Sequence, residues 1–205
     1  MDATFKRRLK LVLPILLVLG IFAAFNADYL RIHIAYAING PASVATPELT
    51  LHVPGAQSPT STPNTLTIPS LGIQTPIQYV TATNEAAFQE ALKNGAVHYP
   101  GTAEPGQPGN DYIFGHSSDY SWSGGKYKTV FALLPKIDIG SIIWITDKTG
   151  KNFRYKVTET RIVNPKDLSV LDQHENKKKL LTVQTSYPIG TALRRFVVIA
   201  ELVTE

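Results

Sequence analysis

The chain has 205 residues, 43% of them hydrophobic and 18% charged, with no cysteine and a net charge of +4. This is the size of one ordinary globular domain with extra segments, and it excludes a disulfide framework, a thiolate metal site and a wholly disordered chain. Lys6, Arg7, Arg8, Lys10 and Arg31 against Asp2 and Asp28 put +3 of the charge into the first 31 residues. The nearly neutral remainder lacks the basic face of a nucleic-acid binder, and the run Lys177, Lys178 and Lys179 reads most simply as a solvated loop.

Residues 1–31 read as a basic tail and a membrane anchor. From Leu9 to Ala27 only Lys10 and Asn26 are clearly polar. About 20 apolar residues span a bilayer, and a lysine at the edge can snorkel. The excess of Lys and Arg before the span places the N-terminus in the cytoplasm and the remainder outside the membrane. A cleaved signal peptide is the rival reading, but the apolar run is long for one and no small-x-small site follows directly. Residues 32–64, with "NGPASVATPELT" and "VPGAQSPTSTPNT", read as a Pro/Ser/Thr-rich stalk that buries too little apolar surface to order itself.

The folded domain is expected over 65–205. "LTIPSLGIQTPIQYV" predicts two short strands broken by Pro69 and Gly72. "TNEAAFQEALKNG" predicts a helix capped by Thr83 or Asn84 and stopped by Gly95. "DYIFGH" is a short strand ending at His116, and "TVFALL" predicts one or two helical turns. "SIIWITD" and "FRYKVTETRIV" flank "KTG" as a hairpin. "NPKDLSVL" is a turn with a short helix, and "KLLTVQTS" and "RRFVVIAEL" are the closing strands. Seven or eight short strands punctuated by turns imply a mainly β fold, a closed or nearly closed barrel that hides the edges so much Val and Ile would expose.

Five histidines are present. His33 and His52 fall beside the membrane or in the stalk, and His174 lies in a polar loop. His98, in "AVHYPGT", is open between a structural role and a place in a groove. His116 follows Gly115 at a strand end and precedes the polar loop "SSDYSWSGG", where an imidazole can take or give a proton near neutral pH. In "LLTVQTS", alternation puts Thr182, Gln184 and Ser186 on one face and Leu181, Val183 and Thr185 on the other. Ser186 ends that strand. Arg194 and Arg195 open the next strand and point to opposite faces, so a hairpin brings one guanidinium near Ser186, where it could hydrogen-bond an oxyanion. A hydroxyl, a His and an Arg fit a serine hydrolase, with Asp119 or Asp138 to orient His116, although Ser186 lacks a Gly-x-Ser-x-Gly elbow. They equally fit a site that holds a thiolate beside a positive charge.

The stretch "LLTVQTSYPIGTALRRFVVIA" resembles the signature of bacterial sortases, in which a strand ends in Thr-Cys, a Pro-x-Gly loop follows and an Arg opens the last strand. "LKNGAVHYPGTAEPGQPGNDYIFGHSS" resembles the approach to their catalytic His, and the resemblance extends over about 66–205. It implies a sortase-like closed barrel acting as a cysteine-type transpeptidase. Such an enzyme cleaves an LPxTG-like sorting signal between Thr and Gly and passes the Thr carbonyl to an amine on a cell-wall precursor or a pilin Lys. His116 matches the family His and Arg195 the family Arg, with Arg194 second. Ser186 stands at the Cys position. Three readings of that Ser stay open: a Cys replaced to stop acylation, a native Ser in a lineage that keeps only a binding groove for sorting signals or wall peptides, and a native Ser that forms an oxygen ester. Expected substrate contacts are Thr185, Tyr187, Arg194, Tyr120, Trp122 and His98, with the loop Asn164 to Lys179 shaping choice of peptide. No cofactor is implied, and Asp167, Asp172 and Glu175 lack the spacing of a calcium loop.

Overall fold

A computed structural model describes residues 3–25, 27–40, 62–119, 123–173 and 178–204. Two N-terminal helices, α1 (Ala3–Phe25) and α2 (Ala27–Asn39), precede the domain. Among the described residues no helix is long and apolar enough to cross a membrane. Residues 32–39, expected to open an extended stalk, continue α2. Ile32 and Tyr36 give the reason, since both pack against the domain core and the Lys136 ammonium sits 5.0 Å from the Tyr36 ring centroid. Residues 41–61 of the expected stalk lie outside the described residues.

The strands are β1 (Thr65–Ile68), β2 (Ile73–Tyr79), β3 (Ala96–His98), β4 (Gly109–Phe114), β5 (Ile142–Thr146), β6 (Asn152–Val163), β7 (Lys179–Tyr187) and β8 (Arg194–Leu202). They close a barrel in the order β1-β2-β3-β4-β7-β8-β6-β5. Between β1 and β2 a tight turn covers Pro69–Leu71, and Gly72 takes a left-handed conformation (φ 62°) that a side chain would resist. Helix α3 (Glu85–Leu92) is capped by Asn84, whose side chain accepts the Ala87 N–H at 2.9 Å. It makes the crossover between the parallel strands β2 and β3. Gly95, expected to stop α3, serves a different purpose: a Cβ there would lie 2.2 Å from the Pro76 carbonyl oxygen, so its lack of a side chain lets β3 approach β2. "TVFALL" forms turns rather than an α-helix, and Pro135 sits in the short 3-10 turn Leu134–Lys136 that follows.

Alternation sorts the barrel into two faces. Leu66, Ile68, Ile113, Ile143, Ile145, Tyr155, Leu181, Val183, Phe196 and Val198 fill the interior. On the outer face of β3 and β4, Val97 and Phe114 pack beneath Phe88, Ala91 and Leu92 of α3. The decisive pairing is non-local. β4 runs parallel to β7, with Gly109 opposite Lys179 and Phe114 opposite Gln184, while β7 and β8 form an antiparallel hairpin.

Candidate active site

Three strands bring the candidate residues to one end of the barrel. β7 is central. In its register with β8, Ser186 stands opposite Arg195 and Tyr187 opposite Arg194. Residues directly opposite on antiparallel strands share a face, so Arg195 and not Arg194 accompanies Ser186. On the other side, the Gly115 N–H donates to the Gln184 carbonyl at 3.1 Å and the Thr185 Oγ1 hydroxyl donates to the Gly115 carbonyl at 2.9 Å. These bonds carry the β4–β7 pairing past the end of β4 and set His116 alongside Ser186. Neighbouring strands lie about 4.8 Å apart, so Ser186 is flanked by His116 and Arg195, one from each adjoining strand.

Local packing holds each group. Gly115 has no Cβ because Phe131 occupies the space: a Cβ there would lie 2.7 Å from the Phe131 ring. The Phe131 N–H donates to the His116 carbonyl at 2.9 Å, so the buried Phe131 fixes the backbone on which the imidazole hangs. Beyond His116, Ser118 Oγ accepts the Gly190 N–H at 3.0 Å and ties the loop after the His to the loop after Ser186. One Arg195 Nη1 donates to the Ala192 and Arg194 carbonyls, both at 3.1 Å, which steadies the guanidinium over that loop.

His116 is partly buried, and its Nε2 lies 3.9 Å from Asp119 Oδ2. Burial pushes the imidazole below its ordinary range and the Asp119 charge opposes this in part, so the neutral ring is favoured at neutral pH. Asp119 is itself held by the Ser123 hydroxyl at 3.0 Å. Asp138, the other acid considered from sequence, lies in the turn that leads into β5.

The other expected contacts separate. Thr185 is buried with its hydroxyl committed to β4, and Tyr187 packs on Phe196 with ring centroids 6.0 Å apart. His98 is paired with Ile113 and turns into the barrel. Its Nε2 lies 3.0 Å from the Ala103 carbonyl, 3.3 Å from Thr102 Oγ1 and 3.5 Å from Asp111 Oδ1, while its ring stacks on Tyr79. Burial lowers the His98 pKa and raises that of the fully buried Asp111 well above the ordinary carboxylate value. Tyr120 and Trp122 lie outside the described residues, as do His174 and Glu175. The loop before β7 is pinned by Gln173. Its Oε1 accepts the Ala103 and Asn110 N–H groups, and its Nε2 donates to the Asn110 and Leu171 carbonyls. Asp167 spends its carboxylate within its own turn, on Ser169.

A family model for the sortase domain matches residues 66–203, from within β1 to just past the end of β8. The chain belongs to the sortase family. Sortase D of Bacillus subtilis (strain 168) is 27% identical over 143 residues, which cover 68% of this chain and 63% of that protein, somewhat less than two thirds of its length. Among solved structures, a sortase D5 transpeptidase from Clostridium perfringens is 28% identical, with a TM-score of 0.56 over 68% of this chain and 78% of that one. Sortase C-1 from Actinomyces oris superposes with a TM-score of 0.58 over 69% and 73% of the two chains, at 24% identity, and shares the fold. Sortases are cysteine-type transpeptidases as a family, and this sortase-family chain has no cysteine at all.

Sequence reasoning placed Gln184 on the Ser186 face without giving it work. In the structure its side-chain Oε1 accepts a hydrogen bond from the Tyr112 hydroxyl across the β4–β7 pair. In the sequence it shows only as one of three polar residues, with Thr182 and Ser186, on one face of this strand.

Proposed function

We propose that this barrel takes an LPxTG-like sorting signal with the Thr–Gly carbonyl at residue 186, as an acyl-transfer site of the sortase type in which Ser186 stands at the nucleophile position. The observation that supports this best is the register that flanks residue 186 with His116 and Arg195. In the reaction that such a site performs, the nucleophile attacks the Thr carbonyl and gives its proton to neutral His116, Arg195 hydrogen-bonds the oxygen as it gains charge, and His116 passes that proton to the departing Gly amine. An amine from a cell-wall precursor or a pilin Lys then attacks the acyl group and restores the nucleophile. A thiolate does this readily because it is partly ionised near neutral pH. A hydroxyl is not, and loss of the nucleophile in a serine protease costs about 10⁶-fold in turnover. The Ser form is therefore expected to hold the peptide with little turnover. The test is Ser186→Cys, incubated with an LPxTG-type peptide and an amine donor. A thioacyl adduct seen by mass spectrometry supports the reading, and a folded Ser186→Cys protein that forms none refutes it.

The contact of His116 with Asp119 favours a second reading, in which neutral His116 deprotonates the Ser186 hydroxyl and the chain works as a slow serine hydrolase or ester-forming transferase. Labelling of Ser186 by a fluorophosphonate, lost in His116→Ala, distinguishes this from simple peptide binding. We also propose that the domain is displayed outside the cell membrane on an N-terminal anchor. This rests on the basic tail and the apolar run Leu9 to Ala27 in the sequence alone. Retention of the full chain in the membrane pellet after alkaline extraction checks it.

A further inference from the structure

The face that carries Ser186 continues down β7 to Gln184 and Thr182, beside Tyr112 and Phe114 of β4. Tyr112 is almost fully buried, in edge-on contact with Tyr99, which also lies beside Phe114 and beneath Phe88. An aromatic wall from α3, the β3–β4 loop and β4 thus borders this strip. Tyr112 is a donor here: burial holds its phenol above the ordinary range, with the Arg195 charge working against that, so the proton stays on. Its O–H goes to Gln184 Oε1. That bond orients the amide, and the two Nε2 hydrogens must point away from Tyr112. Gln184 is only half buried.

We infer that Gln184, aimed by Tyr112, is a positioning residue that donates from Nε2 to a backbone carbonyl of the acyl-donor peptide, two residues upstream of the bond at Ser186. The proposal presupposes that the groove takes a sorting-signal peptide. The span follows from geometry: Gln184 and Ser186 are two strand residues apart, about 6.7 Å, and an extended peptide alongside β7 has the same rise. A carbonyl acceptor suits an amide donor whatever the side chain at that point. The pair therefore sets the depth and register of the bound chain, while Arg195, Ser186 and His116 act at the next carbonyls along the face.

The experiment uses the full chain with its Ser186 and measures peptide affinity by titration. The probes are an LPxTG-type peptide and the same peptide with the carbonyl two residues upstream of the Thr–Gly bond replaced by a thiocarbonyl, a weaker acceptor. Gln184→Leu is expected to weaken binding of the ordinary peptide about 3- to 10-fold, the range of one net hydrogen bond. Tyr112→Phe, which frees the amide to rotate, should weaken it by a smaller factor. The thiocarbonyl should cost the parent chain affinity and cost Gln184→Leu nothing more. Equal thiocarbonyl losses in the parent and in Gln184→Leu overturn the proposal, as does unchanged affinity in a folded Gln184→Leu. Should Gln184→Leu fail to fold, Gln184→Met takes its place under the same criteria. If the parent chain binds no such peptide, the acyl-transfer reading fails and this one with it. If the parent binds and only the Gln184 arms are flat, this proposal alone falls.

Discussion

Replacing Gly115 with alanine tests how the barrel supports its histidine. The added Cβ would sit 2.7 Å from two Phe131 ring carbons and 3.0 Å from Val130 Cγ1, where carbon atoms normally rest about 3.5–4.0 Å apart. The ring would have to move by roughly 0.8 Å or more. Phe131 is fully buried in the core, so it has little room, and overpacking of this kind costs about 1–3 kcal/mol. Gly115 needs no left-handed backbone, so the gain from a stiffer unfolded chain, about 0.4–1 kcal/mol, partly offsets that cost. The net loss is about 1–2 kcal/mol, or a fall in melting midpoint of about 3–8 °C for a domain near 140 residues. Gly124→Ala is the control, because a Cβ there meets nothing within 4 Å. Thermal and urea unfolding of both variants measures the difference. Adding Phe131→Leu to Gly115→Ala makes space for the methyl, so the double variant should lose less than the sum of the singles. A Gly115→Ala midpoint equal to that of Gly124→Ala, or strictly additive singles, would refute the packing argument. Because Phe131 also holds the His116 carbonyl, the same variant should slow any chemistry at residue 186.

Thr185→Val keeps the shape of the side chain but removes the buried hydroxyl that donates to Gly115. It should cost about 1–2 kcal/mol in urea unfolding, whereas Thr185→Ser should retain most of the stability. Asp111 makes stability fall as pH rises: its folded pKa lies above its unfolded value near 3.8, so folding favours the protonated acid and the penalty grows from about pH 4 upward. Asp111→Asn should therefore match the parent melting midpoint near pH 4 and exceed it increasingly toward pH 7, and parallel midpoint curves would refute this. His116 has the opposite sense, with its folded pKa below 6.5. If its neutral form activates Ser186, fluorophosphonate labelling should rise with pH through a midpoint below 6.5 and flatten at higher pH. A midpoint well above 6.5 would point to another base.

The elements were legible because their signals are local. Asn84 before an apolar repeat, "KTG" between two β-branched runs and period-two alternation in "LLTVQTS" each act within a few residues. His116 and Ser186 could be singled out because each ends an apolar strand at a polar loop, and the family resemblance rested on the same stretches. That residues 32–39 continue α2 was not legible, because composition says nothing of a surface that receives Ile32 and Tyr36. The one or two helical turns expected for "TVFALL" form as i to i−3 turns leading into the 3-10 turn Leu134–Lys136.

Alternation along one strand also determined that Arg194 and Arg195 face opposite ways, that Ser186 shares a face with Gln184, and that Thr185 faces the other way. It could not say which strand lies beside which. Only the tertiary structure decided that β7 pairs with β4, whose residues precede it by 70 positions, and so set His116 next to Ser186. The β7–β8 register puts Arg195 rather than Arg194 opposite Ser186, which alternation along one strand could not decide. His98 was undecided for the same reason: its neighbour Asp111 is reached across strands, and burial comes from contacts that sequence separation hides. Side-chain period belongs to the backbone of a single strand, whereas a site flanked from both sides exists only once the barrel has closed.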